Sequence, residues 1–172
     1  MEDKKKEKLF MRDFFRKAGK AIYDYELIEP GDRILVGVSG GKDSLALLEV
    51  LALRARDPKQ NYTVVAAHIA VENVAVKEDS GKPVCFVCSW NRRKTLFGIA
   101  KEYGCNKLAL GHHRDDAIES LLMSMMFNGT IASMPPKLAM FDRTFTLIRP
   151  FIYLTDEETT RYAAYRNFKK QK

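Results

Sequence analysis

The chain has 172 residues, 46% hydrophobic and 30% charged, with 29 Lys+Arg against 22 Asp+Glu for a formal net charge of +7. This is globular composition at the length of one ordinary domain, which excludes disordered and fibrous classes. No apolar run approaches the roughly 18 residues of a membrane span, charges break up the N-terminus where a secretory signal would be apolar, and three cysteines are too few for a disulfide framework. In chain order, residues 4–28 are predicted to form an amphipathic helix, with Phe10, Phe14, Ala18, Ala21 and Tyr25 at three- and four-residue spacing. Pro30-Gly31-Asp32 stops it. Residues 34–38 then read as a strand covered on both faces, because the run is nearly all apolar. A Gly-rich turn and a helix through Leu45, Leu48 and Leu51 follow, then a second strand at 62–69 and a helix at 89–103 closed by Gly104. A third strand at 107–110, a helix at 115–127, a fourth strand at 145–148 and a last helix from Thr155 to about 168 complete the chain. Thr155 with Glu158 forms a capping box for that last helix. Alternating strands and helices predict a doubly wound parallel α/β sheet.

The chemistry concentrates in Ser39-Gly40-Gly41-Lys42-Asp43-Ser44, between the first strand and its helix. Two glycines let backbone N–H groups turn toward a ligand. The helix N-terminus adds partial positive charge and Lys42 adds a full one, a combination suited to a polyphosphate. A Walker A loop is excluded, because it needs Gly where Val36 stands and Ser or Thr where Asp43 stands. The segment instead resembles the SGGxDS loop of the PP-loop ATP pyrophosphatases, which hold the β,γ-pyrophosphate as a leaving group.

Further blocks follow in order: Cys85-x-x-Cys88 with Arg92 and Arg93, Leu110-Gly111-His112-His113-Arg114-Asp115-Asp116, Met134-Pro135-Pro136-Lys137-Leu138, and Ile148-Arg149-Pro150. With Gly31-Asp32-Arg33 ahead of the loop, the chain resembles the tRNA 2-thiocytidine synthetase (TtcA) family from about residue 21 to residue 161. The resemblance implies ATP-dependent replacement of a cytidine O2 by sulfur in a tRNA anticodon loop. It also implies a [4Fe-4S] cluster on three cysteines, a sulfur donor, a homodimer and a cytoplasmic setting without a membrane partner. The domain division expected from it is an N-terminal helix (1–29) ahead of the PP-loop domain (30–172). Ser39, Gly40, Gly41, Lys42, Asp43 and Ser44, with His68, Gly111 and His112 at neighbouring strand ends, are then expected around ATP.

Cys85 and Cys88 stand at a helix start with Arg92, Arg93 and Lys94 nearby, which favours the thiolates a cluster needs. Cys105 falls roughly 20–25 Å away at the far end of that helix, given 1.5 Å per residue, and reads as a small buried residue. Asp115 and Asp116 serve either as caps for the helix that follows or as carboxylates near the nucleotide, through Mg²⁺ or as a proton acceptor. Arg92 is expected to hold tRNA phosphate or polarise the cytidine oxygen, against the ordinary alternative of a solvated helix face. Met123, Met125, Met126 and Phe127 read as core or dimer packing.

Two features depart from the family. Residues 72–84 are too few for the further crossover and strand found in relatives, so the sheet is expected to lose an edge unit and keep four strands. The family's third cluster cysteine lies downstream of the last helix. This sequence supplies no counterpart, as expected of a shortened form or of one segment of a longer chain. Two other readings stand beside thiolation: another PP-loop enzyme of ligase or amidotransferase type, and a truncated module that binds nucleotide or tRNA.

Overall fold

The computed structural model describes the backbone of residues 2–69, 84–141 and 144–168, and the side chains of 3–69, 91–141 and 144–168. The elements are α1 (Glu2–Asp24), β1 (Arg33–Val38), α2 (Lys42–Arg54), β2 (Thr63–His68), α3 (Val84–Glu102), β3 (Lys107–Ala109), α4 (Arg114–Asn128), β4 (Lys137–Met140), β5 (Phe145–Ile148) and α5 (Asp156–Tyr165). The strands form one sheet in the order β2-β1-β3-β5-β4, parallel except for β4. The doubly wound α/β class is the expected one.

The apolar run of β1 is explained by what covers it. Ile34 and Val36 join Phe14 and Ala18 of α1, Leu47 and Leu51 of α2, and Tyr162 of α5 in one buried cluster. Leu35 points the other way, against Leu96 and Ala100 of α3 and Leu108 of β3. The Phe14 and Tyr162 rings stack with centroids 4.3 Å apart, fixing α1 to α5. The box at α5 forms as expected, with Thr155 Oγ1 accepting from Glu158 N–H at 3.1 Å and Glu158 Oε2 accepting from Thr155 N–H at 3.1 Å.

Three expectations need correction. Among the described residues the sheet has five strands where four were expected. The additional one, β4, pairs antiparallel with β5 at the sheet edge, Met140 opposite Phe145. Its four residues follow Pro135-Pro136, which reads as loop, and the edge position tolerates such prolines. Helix α3 begins at Val84, five residues before its predicted start. The Met123–Phe127 group is not core, since α4 buries no residue and Met126 and Phe127 are 76% and 77% exposed. The expected loss of an edge strand concerns residues 72–84, which lie outside the described residues except for the backbone of Val84. Among the described residues β2 is the edge strand on that side.

One buried ion pair anchors the amino edge of the sheet. Lys107 Nζ lies 2.7 Å from Asp32 Oδ2, with side chains only 3% and 4% exposed, and it donates to the Leu27 carbonyl at 3.0 Å. Removing one partner of such a pair leaves the other charge stranded. Lys107→Ala is therefore expected to cost about 3 kcal/mol in urea unfolding, and a loss below about 1 kcal/mol would show the pair to be effectively solvated.

Candidate active site

The chain runs from β1 to β2 on one side of the sheet and returns to β3 on the other, so the strand order reverses between β1 and β3. Ligands bind doubly wound sheets at such a point, beyond the carboxyl ends of the strands. Two loops meet there in this fold. The Ser39–Ser44 loop leaves β1, and Gly111-His112 leaves β3.

The first loop is built around one hydroxyl and one left-handed glycine. Ser44 Oγ donates to the Gly41 carbonyl at 2.9 Å and accepts from Ser39 N–H at 3.1 Å, while Gly40 sits at φ +83°. Gly41 precedes the first residue of α2 and has no side chain with which to cap it. The first-turn N–H groups, which have no intrahelical acceptor, are thus left for an external one. Gly111 makes room for this loop. A Cβ there would lie 2.9 Å from the Asp43 carbonyl carbon and 3.1 Å from Ser44 N. Gly111→Ala is expected to displace the loop, lowering stability by about 2 kcal/mol and weakening nucleotide binding about tenfold. Thermal melts and nucleotide titration check this; two unchanged values would contradict the close approach.

Lys42 is held by three partners. Its ammonium lies 2.6 Å from Asp156 Oδ1, 2.8 Å from Asp43 Oδ1 and 3.1 Å from Thr159 Oγ1. Burial works against the charge, but the Asp156 and Asp43 carboxylates outweigh it and raise the pKa above the ordinary lysine value. In return the Lys42 bond holds the Asp156 pKa below the usual carboxylate range. Asp156 Oδ1 also lies 3.3 Å from His113 Nε2. Asp43, His113 and Asp156 thereby place one ligand atom each within 4.8 Å of one another, a donor set that suits a divalent cation.

Asp115 and Asp116 sit at the start of α4, as expected, and each already makes a structural bond. Asp116 Oδ2 accepts from His113 N–H at 2.7 Å, within its own helix start. Asp115 Oδ2 accepts from Asp156 N–H at 2.6 Å and so caps α5. The N-termini of α2, α4 and α5 are thereby tied into one group of side chains.

The remaining nucleotide candidates also lie at this edge. His68 Nδ1 lies 2.8 Å from the Val38 carbonyl, at the end of β1. Because a carbonyl only accepts, Nδ1 carries the hydrogen of this bond. Arg92, Ser39, Val38, Gly37 and Leu110 line a cavity of about 120 Å³ beside the loop, and Arg92 Nε is buried there without a partner. His112 is half-buried; desolvation first, then the Arg149 charge, push its pKa down.

The backbone places Cys85 and Cys88 in the first turns of α3; their side chains lie outside the described residues. Cys105 is buried with Leu35, Leu96 and Leu108 just ahead of β3, at the opposite edge of the sheet. Burial raises its thiol pKa, so packing is its role. Two residues at the centre are not marked by any sequence motif, Asp156 and Thr159. Their signal is the capping box, which fixes the start of α5 and puts both residues in its first turns.

No protein-family model matches the chain. A curated relative from Verminephrobacter eiseniae, a tRNA-cytidine(32) 2-sulfurtransferase, is 43% identical over 182 residues, covering 89% of this chain and 58% of the relative. A protein of the same name from Sorangium cellulosum is 38% identical over 186 residues, covering 91% and 66%. The chain spans about three-fifths of the length of the curated relatives it matches. Against the first relative, 89% of 172 residues is about 153, fewer than the 182 aligned, so that relative carries extra residues inside the matched region. Among solved structures, the U34-tRNA thiolase NcsA from Methanococcus maripaludis, solved with its [4Fe-4S] cluster, superposes with a TM-score of 0.73. It is 19% identical, and the match covers 96% of this chain and 67% of that one, a likeness of fold.

Proposed function

Because the chain belongs to the tRNA-cytidine(32) 2-sulfurtransferase family, we propose that it serves the ATP-dependent 2-thiolation of an anticodon-loop cytidine in tRNA. The single observation that carries this reading is the uncapped, lysine-bearing loop abutted by Gly111 at the strand-order reversal.

The residues fit ATP. The first-turn N–H groups of α2 and the Lys42 ammonium would hold the β,γ-pyrophosphate and draw off the charge that develops as it leaves. Asp43 and Asp156 would hold Mg²⁺. His68, Arg92 and Gly111 would line the nucleotide, with Arg92 set beside Ser39 to face a phosphate or the cytidine oxygen. Asp115 and Asp116 hold α4 and α5 at the reacting edge, and each carboxylate keeps lone pairs to accept a proton. Cys85 and Cys88 would supply two thiolates to an iron–sulfur cluster. Cys105 is on the wrong edge to be a third, so the described residues do not complete the set. The chemistry such a cluster supplies when bound is delivery of sulfide to the activated base. A homodimer joined through the exposed Met123–Phe127 face, a separate sulfur donor and a cytoplasmic setting accompany this reading. Among the described residues no helix is long and apolar enough to cross a membrane.

The test is nucleoside analysis of a tRNA transcript incubated anaerobically with the chain, iron, sulfide and Mg-ATP. Thiolated cytidine that appears only with ATP is expected. RNA left unmodified with no ATP consumed would contradict the proposal.

A further inference from the structure

Arg149 follows β5 at the same sheet edge as the loop, and it is only 8% exposed. Its Nη1 donates to the Pro135 carbonyl at 2.5 Å and its backbone N–H to the Pro136 carbonyl at 2.9 Å, which fix the side chain in place. Its Nε is buried without a hydrogen-bond partner, and so is Nδ1 of His112 at the end of β3. Burial first, then the charge of the exposed Arg93 on α3, hold the Arg149 pKa down, and Arg93 adds to the burial and Arg149 charge that lower that of His112. Among the described residues no carboxylate pairs with Arg93 or Arg149. Asp116 acts on His112 in the opposite sense, but its Oδ2 already accepts from His113 N–H. A buried guanidinium with a second arginine beside it and no carboxylate partner carries a desolvation cost that a bound anion offsets.

We propose that Arg149, Arg93 and His112 form a second phosphate-binding site, distinct from the pyrophosphate loop. The Nε edge of a guanidinium is a fork that matches two phosphate oxygens, and it is the edge that Arg149 leaves unused. The phosphate belongs either to the nucleotide, as its α-phosphate, or to the RNA strand beside the reacting base. The site rests on the reading that this chain acts on RNA with ATP.

The experiment titrates AMP and a 17-nucleotide anticodon stem–loop separately into wild type, Arg93→Gln and Arg149→Lys, with Arg12→Gln on α1 as a distant control. Affinity for one of the two probes is expected to fall about tenfold in both site variants and to hold in the control. A fall for AMP assigns the site to the α-phosphate. A fall for RNA, with the salt slope reduced by about one, assigns it to the strand. If Arg149→Lys does not fold, Arg93→Gln, on an exposed position, decides the matter alone. Both probes bound within twofold of wild type would overturn the site while leaving the proposed function standing. Wild type that binds neither AMP nor RNA overturns the function and the site together.

Discussion

Replacing Lys42 by alanine is expected to lower ATP-dependent turnover by about 10²–10³-fold, the cost of removing one preorganised group from developing negative charge. The helix N-terminus behind it amounts to roughly half a charge, so the ammonium is the larger single contribution at the loop. Its raised pKa keeps it charged throughout the working range. The fold should tolerate the change. Asp156, the closest partner, has a side chain 57% exposed, and solvent can replace the lost bond. Unfolding midpoints should therefore stay close to wild type while pyrophosphate release collapses. Turnover within about threefold of wild type would remove Lys42 from the machinery.

Replacing Cys85 by serine is expected to abolish iron uptake on anaerobic reconstitution and, with it, thiolation, while ATP binding holds within about twofold. The two cysteines are three residues apart in the first turns of α3, and the N-terminus of a helix is a setting that favours thiolates in general. Serine presents an alcohol that stays protonated. Cys105→Ala is the matched control, since that thiol packs against Leu35 and Leu108 on the far edge and should retain iron. Iron retained in Cys85→Ser but lost in Cys105→Ala would reverse the assignment. An ATP-dependent RNA modification that carries no sulfur and survives Cys85→Ser would instead point to a PP-loop reaction of ligase or amidotransferase type.

The residues reveal the sheet and its nucleotide edge more readily than the side-chain partnerships across it. β1 and β5 are legible because strands covered on both faces are largely apolar, and the loop is legible because Gly40, Gly41 and Lys42 serve no ordinary turn. β4 is not, because a four-residue edge strand after two prolines satisfies no periodicity. Nor is the true start of α3, since Val84 to Cys88 carries no capping residue to mark it. Asp156 stands 114 residues from Lys42, and no local pattern links them. Their pairing follows only once α2 and α5 begin at the same sheet edge. One of the two aspartates is expected to cap the helix that follows, and Asp116 does; that Asp115 instead accepts from Asp156 N–H at the start of α5 has no local signal.

The most direct measurement is the fate of ATP labelled at the α- and γ-phosphates when the chain is incubated with its RNA. AMP and pyrophosphate in equal amounts, stimulated by RNA and lost in Lys42→Ala, are the products predicted for a loop that releases pyrophosphate. ADP and inorganic phosphate would contradict that chemistry and with it the proposed thiolation.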